Sequence, residues 1–134
     1  MQAIIFIGIS ASGKSHYYFD NFRDSHIRIN LDMLKTRNRE KILVKACIDS
    51  KTNFVVDNTN LTVEDRKKYF EWLKDKKYEI TACVFKTSLK ECILRNSKRH
   101  RQVPPGIIAS MLNKIEQPSK EEGFNEISYV KESL

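Results

Sequence analysis

The sequence predicts an α/β fold: a central parallel sheet of four to five strands with helices on both faces. Three observations predict it. Short apolar runs alternate with amphipathic, helix-forming stretches along the chain, a spacing that implies crossover connections and parallel strands. The first apolar run feeds directly into GISASGKS, a loop bounded by glycines that opens a helix. No internal repeat, low-complexity tract or Pro/Gly-rich linker divides the 134 residues, so residues 1–134 are expected to form one domain. A chain of this length can bury a core without disulfides.

In order along the chain, AIIFIGI reads as the first strand, followed by a helix from about Lys14 to Asn21. HIRIN is the second strand, with Ile27 and Ile29 alternating until Asn30 stops the run. Helical sequence then continues to about Ser50, and NFVVDN is a third, very apolar strand. TVEDRKKYFEWLKDK is an amphipathic helix whose apolar stripe is Tyr69, Trp72 and Leu73. Its start, Thr62 to Asp65, fits a capping box with Asp in place of Glu. YEITACVF is the fourth strand and LKECILRN the next helix. IIASMLNKI is a further helix, expected to begin after Pro104-Pro105-Gly106, and a last short strand falls near ISYV.

Composition narrows the class. At 40% hydrophobic and 31% charged residues, the chain has the make-up of a soluble globular protein. Cys47, Cys83 and Cys92 form no C-x-x-C pair and are odd in number, which argues against a disulfide framework or a cysteine metal site. The opening MQAIIFIGIS lacks a basic flank and is too short to span a bilayer, so it reads as a strand of a cytoplasmic protein without a membrane partner. The net charge of +7 favours polyanions, and the charge is clustered. Positions 95–101, RNSKRHR, hold four Lys or Arg and a His with no acid, whereas KDKK at 74–77 reads as a solvated helix end.

In parallel sheets of this kind, ligands bind beyond the carboxyl ends of the strands, and every candidate site residue falls there. GISASGKS, residues 8–15, fits G-x-x-x-x-G-K-[ST] in full. Gly8 and Gly13 let the chain wrap so that the amides of Ser10, Ala11, Ser12 and Gly13 face phosphate oxygens, and the helix that follows adds its dipole. Lys14 reaches the β- and γ-phosphates, and Ser15 offers a hydroxyl to Mg²⁺. The guanine-reading N/T-K-x-D of a GTPase is absent and the chain is short for an ATPase motor, whereas small α/β P-loop proteins of this size are often kinases.

A kinase of this type needs a base beside the phosphate loop. Asp32, just past the second strand, is placed for it, and Lys35, three residues on, is suited to a substrate phosphate. The competing reading is that Asn30 or Asp32 caps a helix and Lys35 is solvated. The third strand ends in VVDNTN, which makes Asp57 the candidate to hold Mg²⁺ through water, with Asn58 and Thr59 beside it on the substrate side. An Asx-turn accounts for Asn58 or Asn60 better than for Asp57. RNSKRHRQVP reads either as an arginine lid over the nucleotide or as a solvated basic helix end.

Together these stretches resemble the P-loop 5′-hydroxyl polynucleotide kinase family, especially the bacteriophage-type kinase domain. The likeness rests on GISASGKS, RINLDMLK, VVDNTNL and VFKTSLKECILRNSKRHRQVP with its following SM, and P-x-x-x-E-G-F at Pro118 to Phe124 is similar to animal relatives. The resemblance implies that Asp32 is the general base on the 5′-OH, that Lys14 and Ser15 hold phosphate and Mg²⁺, and that Lys35 contacts the terminal nucleotide phosphate. It further implies that Arg99 stabilises the transferring phosphoryl group and that Arg95 and Val103 flank the adenine. Lys35 stands where an Arg is more usual, so a less bidentate contact is expected. Leu31 replaces the usual Arg before the base, the RNSKR-to-VP spacing is slightly shorter than in the phage pattern, and Arg66 matches a family arginine whose role is open.

The expected activity is therefore ATP- and Mg²⁺-dependent transfer of the γ-phosphoryl group to the 5′-OH of RNA or DNA, in nucleic-acid end-healing. The bacteriophage-type likeness implies a phage-encoded enzyme working in a host cytoplasm. A phosphatase D-x-D-x-T motif is absent, so a stand-alone kinase or an excised domain is expected. Two rivals stay open: a P-loop kinase of small metabolites or nucleosides, and a non-catalytic, NTP-gated nucleic-acid-binding module. Oligomeric state and donor base preference are left open with them.

Overall fold

The computed structural model describes residues 1–130. Its strands are β1 (Gln2–Ile7), β2 (Ile27–Ile29), β3 (Phe54–Val56), β4 (Glu79–Phe85) and β5 (Glu126–Val130). Its helices are α1 (Lys14–Asn21), α2 (Leu31–Leu34), α3 (Arg37–Asp49), α4 (Val63–Leu73), α5 (Leu89–Ser97) and α6 (Pro105–Lys114). All five strands are parallel in the order β2-β3-β1-β4-β5.

The two-residue period of β1 divides the core. Ala3, Ile5 and Ile7 face one side, where Val44, Cys47 and Ile48 of α3 and Tyr69 and Leu73 of α4 pack on them. Ile4 and Phe6 face the other, against Tyr18 of α1, Val55, Cys83 and Phe85. A central strand covered on both faces must be apolar throughout, which is why AIIFI shows no alternation of polarity. A third cluster, Ile9, Leu61, Cys92 and Ile108, lies beyond the sheet under α5 and α6. The chain leaves β1 toward β2 on one side and places β4 on the other, so the crevice at the carboxyl ends of β1 and β3 is the topological switch point.

The expected sheet is present, and so is the fifth strand near ISYV, which pairs with β4 from Thr81↔Glu126 to Phe85↔Val130. The Thr62–Asp65 capping box also forms, with the Asp65 amide donating to Thr62 Oγ1 at 3.0 Å and the Thr62 amide to Asp65 Oδ2 at 3.3 Å. Two expectations are corrected. The helical run expected up to Ser50 is broken: Lys35 takes φ 75, which no helix interior tolerates, and Thr36 starts α3 by accepting the Arg39 amide at 3.1 Å. The sixth helix begins at Pro105 instead of after Gly106, because proline at the first helical position lacks only an amide that would have no helical partner. Among the described residues, no helix is long and apolar enough to cross a membrane.

Candidate nucleotide and acceptor site

The phosphate loop is built by close approach. A Cβ on Gly8 would lie 2.8 Å from Ser12 Oγ and 3.0 Å from Phe85 Cβ, so only glycine lets the loop turn off β1 here. Gly13 has φ +97 at the start of α1, and Arg95 Nη1 lies 3.2 Å from where its side chain would begin. The loop is tied on three sides: the Gly8 amide donates to Thr59 O (3.1 Å), Thr87 Oγ1 to Ser12 O (2.8 Å) and Ser10 Oγ to Met111 Sδ (3.4 Å). Lys14 is buried and folds back over the loop, donating to Gly8 O (2.9 Å), Ile9 O (2.7 Å) and Ser12 Oγ (3.2 Å). Burial pushes its pKa from 10.5 down to about 8; the positive charge of Arg99 adds to that, while the carboxylates of Asp57 and Asp32 oppose it. Charges from three separate segments, past β3, in α2 and past α5, thus act on the Lys14 ammonium.

Beside the loop, Ser15 Oγ donates to Asp57 Oδ2 at 3.0 Å, and Asp57 is buried at the end of β3. The sequence reading anticipated both oxygens and missed their third partner. Arg28 on β2 donates through Nε to Asp57 Oδ2 (2.8 Å) and through Nη2 to Ser15 Oγ (3.0 Å). Its guanidinium carbon lies 5.1 Å from the Phe19 ring centroid and 5.9 Å from that of Tyr18. The available signal was a lone arginine inside a three-residue strand, on the opposite face from Ile27 and Ile29. Among the described residues, no cluster of three or more His, Cys, Asp or Glu could hold a metal. Mg²⁺ needs no such cage, because it binds through one or two protein oxygens plus phosphates and water. Ser15 Oγ and Asp57 Oδ2, hard oxygens next to the phosphate loop, fit that ion.

On the acceptor side, Asn30 is the cap: its Oδ1 accepts the Met33 amide (3.0 Å), and its Nδ2 donates to Asp57 O (2.7 Å). Asp32 therefore stands exposed in the first turn of α2 without serving as the cap. Asn58 holds that turn from behind, accepting the Leu31 amide at 2.8 Å and donating to Glu40 Oε2 at 2.9 Å. Glu40 is fully buried and also accepts from Arg37 (3.1 Å), Lys68 (2.9 Å) and the Tyr69 hydroxyl (3.0 Å). Burial alone would raise its pKa, but Lys68 and Arg37 outweigh burial and hold the carboxyl below its usual range. Both ends of the Asn58 amide are thus engaged by protein groups, and Thr59 meets the phosphate loop through its carbonyl. Lys35 is exposed at the left-handed residue that ends α2, past the helical path that would stack it on Asp32.

Arg95 extends from α5, paired with Glu91 at 3.2 Å, into a cleft of about 670 Å³ lined also by Gly13, His16, Tyr17, Thr87 and Tyr129. Arg99 is exposed beyond the end of α5 and donates to Arg101 O (3.3 and 3.2 Å). Val103 sits half-buried against the third core cluster. Asn96 clasps it there, donating to Val103 O (2.6 Å) and accepting its amide (2.9 Å), a pairing that sequence spacing did not single out.

A phosphate loop after β1, a buried carboxylate ending β3 and a basic segment past α5, all on this parallel sheet, define a P-loop protein of the kinase fold. Residues 23–118 match the AAA domain family (AAA_33), and the chain belongs to that family. It is 27% identical, over 96% of its length, to the bifunctional polynucleotide phosphatase/kinase of Schizosaccharomyces pombe, and spans 33% of that relative. Among solved structures it resembles a gluconokinase from Sinorhizobium meliloti (TM-score 0.63, 18% identity, 96% of this chain and 81% of that one). It also resembles a chain of a Pnkp1/Rnl/Hen1 complex (TM-score 0.60, 22% identity, 76% of this chain and 40% of that one). At such identities these two likenesses are of fold.

Proposed function

We propose that this protein transfers the γ-phosphoryl group of ATP to the 5′-hydroxyl of RNA or DNA, in nucleic-acid end-healing. One observation carries the reading. Asn30 takes the cap and Asn58 anchors the turn, which leaves Asp32 exposed in the first turn of α2, past the carboxyl end of β2. A carboxylate so held is placed to accept the proton of an attacking hydroxyl. Lys14 and the loop amides orient the donor phosphates, and Arg99 supplies charge from the lid as Arg95 borders the nucleotide cleft. Mg²⁺, when bound, neutralises charge between the donor phosphates; Ser15 and, through water, Asp57 are the residues that hold it. The clustered basic residues around 95–101 and Lys35 favour a polyanionic acceptor over a neutral one. The relative in Schizosaccharomyces pombe supports the same substrate class through the printed name of that protein. On this reading residues 1–134 work as one kinase domain in the cytoplasm.

The test is radiolabelled ATP offered with a 5′-OH oligonucleotide against a panel of nucleosides and sugars. Label is expected in the oligonucleotide; label entering small molecules only would overturn the polynucleotide assignment. Binding of oligonucleotide with no transfer by the wild type would instead favour a non-catalytic module.

A further inference from the structure

Arg28 belongs to no part of the phosphate loop or the lid, yet it pairs with the buried carboxylate beside the loop at 2.8 Å. Its guanidinium bridges the two oxygens assigned to the metal: Nε to Asp57 Oδ2 at 2.8 Å and Nη2 to Ser15 Oγ at 3.0 Å. Ser15 closes the triangle by donating to the same Asp57 oxygen at 3.0 Å. Asp57 is 2% exposed, and a carboxylate that buried requires a compensating positive charge. Arg28 supplies it, while its own side chain stays 20% exposed at the edge strand of the sheet. The rings of Phe19 and Tyr18, at 5.1 and 5.9 Å, lie along that outer side.

A divalent cation held by Ser15 Oγ and, through water, by Asp57 would stand beside the Arg28 guanidinium, which already occupies a lone pair on each oxygen, and the two positive charges repel. We propose that Arg28 is the resident counter-ion of the metal oxygens, and that a divalent cation binds only by displacing it toward Phe19 and Tyr18. Arg28 is then a positioning residue with two effects. It preorganises Ser15 and Asp57 beside the phosphate loop, and it weakens metal binding until nucleotide phosphates add their negative charge. Metal and nucleotide consequently bind as a pair, and the ion alone is held poorly. The inference rests on the proposed metal role of Ser15 and Asp57 and is independent of the acceptor.

The experiment is calorimetric titration of ADP into the full chain with excess Mg²⁺ and with EDTA, without acceptor, for wild type, Arg28→Met and Arg28→Lys. The ratio of the two ADP dissociation constants measures the coupling of metal to nucleotide. Arg28→Met is expected to bring that ratio about 10-fold closer to one, because the ion then binds without nucleotide, with Arg28→Lys in between. Mg²⁺ alone is also expected to raise the melting temperature of Arg28→Met and to leave that of wild type almost unmoved. An unchanged ratio in both variants, or one moved further from one, overturns the proposal. Where Arg28→Met does not fold, Arg28→Lys decides by the same ratio. Asp57→Asn in the same titration separates the two layers: metal coupling that survives there removes Asp57 from the metal site itself.

Discussion

Lys14 shows how much a single residue is asked to do. Its ammonium has a full set of protein acceptors and is buried, yet its pKa falls to about 8. Below pH 8 both the folded and unfolded chains carry this proton, and keeping the folded charge costs about 3 kcal/mol. Between pH 8 and 10.5 the folded chain loses the proton first, so the cost fades as pH rises. Relative to Lys14→Met, wild-type stability in urea is expected to climb by about 2 kcal/mol from pH 8 to pH 10; a flat difference would show that the ammonium is not held this way. Lys14→Ala is expected to abolish phosphoryl transfer, since the ammonium buried against the loop carbonyls is then gone. Asp32→Asn tests the base from the other side. Turnover should drop about 10²- to 10⁴-fold with ATP affinity almost unchanged. Equal losses in both would return Asp32 to a structural role.

The decisive element is the turn from β2 into α2 and α3. Lys35 ends α2 after four residues and Thr36 starts a new helix, so α2 is too short to hold itself in place. It depends on Asn58 at the Leu31 amide, and Asn58 depends in turn on the buried Glu40. Glu40→Gln leaves the partly exposed Arg37 and Lys68 facing a neutral amide at the buried position that anchors Asn58 and Tyr69. A loss of about 2–4 kcal/mol in urea unfolding is expected, together with slower transfer. A stability change under 1 kcal/mol would mean that the carboxylate is better solvated than its full burial implies. The short apolar alternation and the Asp were legible here because they follow spacing along the chain. The break at Lys35 was not, since left-handed backbone at a lysine has no local signature and is imposed by the contacts around it.

At the scale of the molecule, the loop after β3 is tied down by Arg66, whose role the sequence left open. Arg66 is fully buried and forms a paired contact with Glu122, Nε to Oε1 at 2.9 Å and Nη2 to Oε2 at 3.0 Å. It also donates to the carbonyls of Asn60 (2.9 Å), Leu61 (3.2 Å) and Glu116 (3.1 Å). One side chain thereby fastens the loop after β3 to the segment that carries Glu122 and Phe124, which packs on Phe70 at 4.8 Å between ring centroids. Arg66→Met is expected to destabilise the fold by about 3–5 kcal/mol, because the Glu122 carboxylate loses its counter-charge and the carbonyls of Asn60 and Glu116 lose the guanidinium donor. Arg66→Lys should recover only part of this, as an ammonium cannot reproduce the fork. Thermal or urea unfolding of both variants checks the order, and equal stability of Arg66→Lys and wild type would reduce the contact to a point charge.

What the sequence determined by itself was the phosphate loop, the parallel sheet and the two carboxylates at strand ends. Each is written in contiguous residues: glycines that allow a tight turn, apolar runs with their periods, an acid after a strand. The tertiary structure decided which of those groups is available and which is held. It gave the cap to Asn30 and left Asp32 exposed, set Arg28 on Ser15 and Asp57 from 13 and 29 residues away, and joined Asn58 to Glu40. The physical reason is that a buried charge or amide must find a partner wherever the crossovers bring one. In HIRIN the isoleucines announce a strand, but only its neighbours in the sheet show that Arg28 serves the oxygens beside the phosphate loop.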